Sequence, residues 1–142
     1  MPVADVVLDL PPGWSRADRP APGVLLLGLE PGAGQPFRAN LVVTADDLGP
    51  LDLRGWQLQT DAALPRALEG YALLDLEHVQ VDGRPGVRRL ASHVVRGRAV
   101  VLEQWAVVSG PLGWTLSATV PALAWPSAET GLADVVAGWH VP

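Results

Sequence analysis

The stretch that decides the fold is residues 71–120, YALLDLEHVQVDGRPGVRRLASHVVRGRAVVLEQWAVVSGPLGWTLSATV. Short turns at Asp82-Gly83, at 96–98 and at 110–113 separate its apolar, β-branched segments. Asp-Gly between alternating apolar residues is typical of a two-residue β-hairpin. Strands joined by turns this short must be antiparallel, because a parallel pair needs a long crossover. The stretch therefore predicts a four-stranded antiparallel meander over residues 71–81, 87–95, 99–109 and 114–120.

Three further strands are predicted ahead of the meander, over residues 6–10, 24–29 and 37–44. The first stops at residues 11–13, Pro-Pro-Gly, which cannot continue a hydrogen-bonded ladder. The third alternates, which places its apolar residues on one face. These are Phe37, Ala39, Leu41 and Val43.

Two helices complete the order of elements. The first begins behind an Asp52 cap and carries apolar residues at helical spacing, and Pro65 inside it predicts a kink or a break near Ala63. The second is predicted over residues 127–139 with Ser127 as its cap. Strands, a helix, a meander and a final helix indicate one α+β domain over residues 1–142, with a central antiparallel sheet flanked by helices.

Composition narrows the function. The 142 residues include 49% hydrophobic and 18% charged residues, which excludes an intrinsically disordered chain. The formal net charge of −5 argues against nucleic-acid binding. The absence of cysteine excludes disulfides and thiolate chemistry. The apolar runs are too short to span a membrane, and the N-terminus lacks the features of a signal peptide, so we expect a cytoplasmic protein.

Four short motifs recur in an order that resembles a known family. They are Leu10-Pro11-Pro12-Gly13-Trp14, then residues 37–43 (FRANLVV), then residues 81–86 (VDGRPG), then Leu102-Glu103-Gln104-Trp105. The succession resembles the PsbP-like superfamily of α/β/α sandwiches, which includes Mog, PsbP and LpqN-like proteins. Within that superfamily the succession is most similar to the LpqN-like lipoproteins of actinobacteria. All ten Lys and Arg positions are Arg, which fits the GC-rich coding bias of actinobacteria.

The resemblance implies a central antiparallel sheet with helices on its faces. In function it implies binding or accessory roles, with a partner protein or in lipid handling. LpqN-like proteins carry a signal peptide and a lipobox cysteine, and this chain has neither, which argues against a role in the cell envelope. No functional residue is transferred from the family.

Motif-borne catalysis is not indicated. His78, His93 and His140 have no metal-ligand spacing, and no serine stands in a G-x-S-x-G elbow. The glycine cluster at residues 32–34 lacks the ending of a phosphate loop. Asp75 and Glu77 lie two apart on one strand face, which is typical of a solvated surface. We therefore predict no catalytic residues, no metal site and no cofactor.

Glu103 and Gln104 interrupt the apolar strand 100–108, so each face of the sheet receives one polar side chain. Buried polar groups need partners. Candidates on other strands are Asn40, Arg89 and His93. We favour a satisfied cross-strand network such as Arg89 with Glu103, and the alternative is a polar anchor at the floor of a ligand cavity.

The leading hypothesis is a non-enzymatic binding or accessory domain for a partner protein or a small apolar, lipid-like ligand. A second hypothesis is a small enzyme with Glu103 or His93 as general base in a cavity, with Trp56 either in the core or as a lid. A third is a structural homo-oligomer, of which a homodimer is the simplest form.

Overall fold

Within residues 5–32 and 34–142, which the computed structural model describes, seven strands form one antiparallel sheet. In chain order the elements are β1 (Ser15–Ala21), β2 (Val24–Leu29), β3 (Asn40–Asp47), α1 (Leu53–Ala67), β4 (Ala72–Val81), β5 (Arg84–Val95), β6 (Arg98–Ser109), β7 (Leu112–Pro121), a 3-10 turn (Ala122–Ala124) and α2 (Trp125–Ala137). The strand order across the sheet is β1-β2-β3-β7-β6-β5-β4. The predicted α+β fold with a central antiparallel sheet is confirmed.

The predicted meander is present as β4 to β7, and its turns have the expected chemistry. Asp82 and Gly83 have φ values of 50° and 74°, and Arg96 and Gly97 have 50° and 76°. Positive φ at both central residues is the conformation of a type I′ hairpin, whose twist matches that of the strands. The two hairpins therefore form from local sequence alone.

Asp82 also holds the C-terminus against the sheet. Its Oδ2 accepts a hydrogen bond from the Val141 backbone N at 2.9 Å, and its Oδ1 lies 3.3 Å from Nδ1 of His140. These two contacts lower the pKa of the Asp82 carboxyl. The same turn residue thus closes a hairpin and anchors a segment 59 residues away.

The β3–β7 pairing joins the N-terminal strands to the meander. Asn40–Asp47 pairs in unbroken register with Leu112–Thr119. Alternation turns Leu116 and Ala118 toward the buried cluster that α2 completes with Leu132 and Val135. Thr115 and Ser117 project from the opposite face, over which α1 packs at one end.

The prediction of a strand over residues 6–10 is wrong. Only Val7 forms a bridge, with His140. The carbonyls of Val6 and Leu8 instead accept hydrogen bonds from the Arg16 guanidinium at 2.9 and 2.8 Å. A side chain therefore satisfies backbone groups that a neighbouring strand would otherwise pair. Arg16 lies in β1, an exposed edge strand that the sequence did not reveal because it lacks apolar alternation.

The predicted break in the first helix is absent, and the second helix begins earlier than predicted. α1 runs without a break to Ala67 because Pro65 falls in its last turn, where one lost backbone hydrogen bond can be solvated. Its predicted cap is confirmed, since Asp52 Oδ1 accepts from the Gly55 backbone N at 2.8 Å. α2 begins at Trp125, directly after the 3-10 turn, and has no side-chain cap. The predicted Ser127 cap is therefore wrong.

Glu103 lies on the α2 face of β6 and is 2% exposed. Its Oε2 accepts from Arg88 Nε at 2.5 Å, and Arg88 Nη1 donates to Glu77 at 3.0 Å and to Asp75 at 3.3 Å. Glu103 Oε1 has no hydrogen-bond partner among the described residues. Burial raises the pKa of the Glu103 carboxyl, and the Arg88 guanidinium opposes that rise.

The favoured pairing of Arg89 with Glu103 is wrong. Arg89 is in direct register with Gln104, and Glu103 with Leu90. Because successive residues of a strand project to opposite faces, Arg89 and Glu103 lie on different sides of the sheet. The expectation that Glu103 and Gln104 divide between the two faces is correct.

Gly113 sets how closely α1 approaches the sheet. A Cβ at this position would lie 2.7 Å from Cη2 of Trp56 and 2.9 Å from Cδ2 of Leu48. We expect Gly113→Ala to displace the Trp56 ring and to lower the free energy of unfolding by about 1–3 kcal/mol, a typical cost of overpacking. Urea titration followed by tryptophan fluorescence measures it.

Gly131→Ala in α2 is the matched control, because a Cβ there meets no atom within 4 Å. We expect it to leave stability unchanged or to raise it by up to about 1 kcal/mol through helix propensity. Equal stabilities of the two alanine variants would contradict the close approach of Trp56 to Gly113.

Glu103→Gln tests the raised pKa of Glu103. An acid whose folded-state pKa is raised holds its proton more tightly when folded, so its stabilising contribution is lost as pH rises through that pKa. We expect the stability of the wild type relative to Glu103→Gln to fall as the pH rises from about 4.3, the ordinary pKa of a glutamate, through the raised pKa of Glu103. Urea unfolding at several pH values measures the difference.

Glu77→Gln is the control, because it removes a half-exposed carboxylate from the same Arg88. We expect this variant to retain most of the pH dependence that Glu103 causes, because burial, and not the charge of Glu77, is the main cause of the raised pKa of Glu103. If the stability difference between the wild type and Glu103→Gln stays constant with pH, the effects of Arg88 and of burial on the pKa of Glu103 cancel. If the difference favours the wild type more at higher pH, Arg88 outweighs burial. Either result would contradict the raised pKa.

Candidate functional site

A groove with several polar side chains on its floor lies beside α1, on the face of the sheet opposite α2. Its volume is about 310 Å³. We call it the α1 groove and define it by the residues that line it: Thr44, Asp46, Trp56, Thr60, Arg89, Gln104, Ala106, Thr115 and Ser117. Strands β3, β7, β6 and β5 supply its floor and α1 supplies one wall.

Cross-strand register places the polar side chains of the floor together. Ser117 is paired with Gln104, and Gln104 is paired with Arg89. In the next row Thr44 is paired with Thr115. Directly paired residues project to the same face with neighbouring Cβ atoms. A polar floor is therefore a consequence of the same register that fills the opposite face with apolar side chains.

A hydrogen-bonded chain crosses this floor. Arg89 Nη2 donates to Asp61 Oδ1 of α1 at 2.5 Å, and Arg89 Nη1 lies 3.4 Å from Gln104 Oε1. Gln104 Nε2 donates to Ser117 Oγ at 3.1 Å. The contact between Arg89 and Gln104 is long and therefore weak, and Arg89 Nε has no partner among the described residues.

Arg89 is 3% exposed, so its charge is removed from water. Burying a charge is costly unless its hydrogen bonds are satisfied. Here the ion pair with Asp61 offsets most of the cost of removing the Arg89 charge from water. Ser117 accepts from Gln104, which leaves its hydroxyl proton free to donate. The floor thus has unused hydrogen-bonding capacity on at least two side chains.

Trp56 forms the wall of the groove and packs in the core rather than as a lid. It is buried against Gly113 and Leu48 at the end of the sheet. Thr60, one turn further along α1, donates its hydroxyl to the Trp56 carbonyl at 3.0 Å. Its lone pairs remain available as acceptors toward the groove.

The charges around the groove nearly balance. Arg89 is paired with Asp61, and Asp46 is exposed at the rim. Tyr71 lies close enough to both members of the ion pair for their charges to affect it, but burial is the main cause of the raised pKa of its phenol. The phenol therefore stays protonated at neutral pH, and the groove carries a small negative excess.

The structure brings three of the six predicted site residues together, namely Arg89, Gln104 and Trp56. Glu103 lies on the other face of the sheet, with Arg88. His93 is buried on the groove side without lining the groove, and burial lowers the pKa of its imidazole, so the ring is neutral at pH 7. Asn40 donates to the Arg38 carbonyl at 3.4 Å and takes no part in the network.

Six of the nine residues that line the groove were not predicted, and neither was Asp61, which binds Arg89. Asp61 is 28 positions from Arg89 in the chain, and no local pattern links the two. Thr115 and Ser117 alternate with buried residues of β7, and Thr44, which is paired with Thr115, has the equivalent position in β3. The sequence did contain one signal for these residues, which is the alternation of polar and apolar residues along a strand that lies at the centre of the sheet.

Among residues 5–32 and 34–142 no three His, Asp or Glu side chains converge in an arrangement suited to a metal ion. No helix in the same part of the chain has both the length and the apolar character that crossing a bilayer requires.

No protein-family model matches the chain, and neither does any curated protein. Solved structures do. LpqN from Mycobacterium tuberculosis, which is involved in cell envelope biogenesis, superposes with a TM-score of 0.74 at 16% identity, covering 96% of this chain and 82% of that one. A Pseudomonas aeruginosa protein of unknown function superposes with a TM-score of 0.71 at 16% identity, covering 98% of both chains.

Cyanobacterial PsbP from Synechocystis gives a TM-score of 0.63 at 16% identity and covers 93% of this chain and 84% of that one. Identity this low carries information about the fold and not about the ligand. The arrangement of sheet and helices agrees with the resemblance seen in the sequence motifs. The chain therefore has the PsbP-like fold that it shares with LpqN and cyanobacterial PsbP.

Proposed function

We propose that this chain is a binding domain that holds a small polar ligand in the α1 groove. The observation that carries the proposal is the row Arg89–Gln104–Ser117, which has unused hydrogen-bonding capacity at the floor of a 310 Å³ groove. That volume is at the lower end of the range for small-molecule sites. Convergent polar groups in such a groove fix the orientation of a ligand.

The lining favours a hydrogen-bonding ligand over the apolar, lipid-like one suggested by the sequence. Hydroxyls of Thr44, Thr115 and Ser117 and the Gln104 amide cover the floor. An alkyl chain placed there would leave these groups without partners, at a cost of about 1–3 kcal/mol for each buried group. A neutral or singly cationic molecule with several donors and acceptors matches both the lining and the small negative excess.

Binding is favoured over catalysis by the positions of the ionisable groups. Glu103, the candidate general base, is on the opposite face of the sheet, and His93 does not line the groove. Asp61 is engaged by Arg89 at 2.5 Å, and Asp46 lies exposed to solvent at the rim of the groove. A general base must reach the proton that it abstracts, and none of Glu103, His93 and Asp61 is placed to do so.

The proposed binding role does not depend on the cellular compartment. The N-terminal sequence led us to expect the cytoplasm, whereas the M. tuberculosis neighbour LpqN takes part in cell envelope biogenesis. A polar ligand is compatible with either compartment, so the groove chemistry supports the binding role independently of location.

Ligand binding can be tested with a panel of amino acids, polyols, nucleosides and small carboxylic acids. We expect at least one compound to shift the NMR signals of the Gln104 side-chain amide and the Trp56 indole, with saturation. Replacing Thr115 by Val and Ser117 by Ala removes two hydroxyls with little change in shape. We expect this double variant to bind about tenfold more weakly, the loss of roughly one to two hydrogen bonds.

Thr119→Val is the matched control, because Thr119 lies on the same strand and the same face but outside the groove. We expect it to bind as the wild type does. A panel without a saturable binder, or a binder that is weakened by Thr119→Val and not by the double variant, would overturn the assignment of the α1 groove.

A further inference from the structure

β4 is the edge strand of the meander and is hydrogen bonded to β5 alone among the described strands. Its register with β5 is uninterrupted from Asp75 to Val81. An edge strand presents a row of unpaired N–H and C=O groups to solvent. This seven-residue segment is therefore a regular template about 23 Å long on which a further strand can pair.

The opposite edge of the sheet is protected in ways that Asp75–Val81 is not. β1 contains Pro20, which has no N–H to donate. Its register with β2 is irregular between Asp18 and Ala21, and Arg19 has a φ of 49°. Pro and bulges are the usual devices that prevent strand addition. β4 has one bulge, at Leu74, which lies outside the regular segment.

Two exposed apolar side chains lie directly before the regular segment. Leu73 and Leu74 are 47% and 56% exposed, and they are among the large hydrophobic residues of the described chain that remain most accessible. A partner strand that extends past Asp75 would cover part of the exposed surface of Leu73 and Leu74. The edge therefore offers apolar area in addition to backbone hydrogen bonds.

The charge on the edge defines the partner. Asp75 and Glu77 lie on one face of β4 with half of each side chain exposed, and Arg88 is the cation that contacts both. Arg88 also pairs with Glu103, so three carboxylates share one guanidinium. Glu129 of α2 lies near enough to add to the negative field at Glu103. The excess negative charge at this edge is complementary to basic side chains.

Pairing of β4 with a second copy is disfavoured by the same charges. In a two-fold antiparallel pair centred on Asp75 or on Glu77, that residue faces its own copy. When the pair is centred on Leu76, Asp75 faces Glu77. Like charges directly opposite each other destabilise a sheet. A homodimer centred on Asp75, Leu76 or Glu77 is therefore opposed, while a basic strand is attracted. A pair centred on His78 opposes no carboxylates, and the measurement of the dimer below tests it.

We propose that Asp75–Val81 of β4 accepts an extended segment of another protein as an eighth strand. The segment carries Lys or Arg at alternate positions, facing Asp75 and Glu77, and apolar or β-branched residues between them. Main-chain hydrogen bonds supply affinity in strand addition, and the alternate side chains supply specificity. This surface is separate from the α1 groove, so either assignment can hold without the other.

The probe is a capped peptide of seven residues with Lys at every second position and Val or Thr between. We expect saturable binding to the full chain and slower hydrogen exchange at β4 amides, with little change at β1. Asp75→Asn with Glu77→Gln should weaken binding about fivefold, as expected for two partly exposed charge pairs. Raising the salt concentration to about 0.5 M should weaken binding of the wild type in the same direction.

Asp9→Asn with Asp18→Asn changes the net charge equally, at residues away from β4, and is the matched control. We expect it to bind like the wild type, and circular dichroism shows that each variant is folded. Equal binding of a peptide with Glu in place of Lys would overturn the proposal. So would protection at β1 instead of β4, no protection at β4, or a stable dimer through β4 in the absence of peptide.

Discussion

The pairing of β3 with β7 is the constraint on which the rest of the structure depends. It joins three N-terminal strands to a C-terminal meander across about seventy residues of chain, and it fixes both faces of the sheet in one step. Leu116 and Ala118 meet α2, while Thr115 and Ser117 form the floor of the α1 groove. A slip of one residue would exchange the two sets, burying hydroxyls and exposing aliphatic side chains. The register that the core enforces is thus also the register that builds the site.

The two faces then differ because their helices cover them differently. α2 closes a continuous apolar cluster that includes Trp114 and Trp139. α1 approaches the other face closely where Gly113 has no side chain beneath Trp56. Further along the same face the sheet is left open, and it is there that polar residues replace aliphatic ones. The groove is therefore the uncovered remainder of a half-covered sheet, and Asp61 ties its floor to the helix that borders it.

Local chemistry was readable from sequence, whereas long-range register was not. Asp82-Gly83 and Arg96-Gly97 specify hairpins within two residues, so the meander could be predicted. β1 has no apolar alternation because it is an exposed edge, and Arg16 captures carbonyls of a segment that reads as a strand. The partner of Glu103 depended on a one-residue register difference between Arg88 and Arg89, which periodicity alone does not resolve. Trp56, Arg89 and Gln104 were identified individually, and only the fold shows that they meet.

The adjacent arginines show how one short stretch serves two surfaces. Arg88 and Arg89 project to opposite faces, and each meets a different balance of charge. Arg88 is shared among three carboxylates, so the β4 side of the sheet keeps negative charge at an edge where backbone groups are unpaired. Arg89 has one carboxylate partner and a weak contact with an amide, so the groove is close to neutral but under-satisfied in hydrogen bonds. Excess charge suits an exposed edge because it selects among partners and opposes self-association. Unused hydrogen bonds suit a groove that the helix partly shields, because hydrogen bonds are stronger where water is partly excluded.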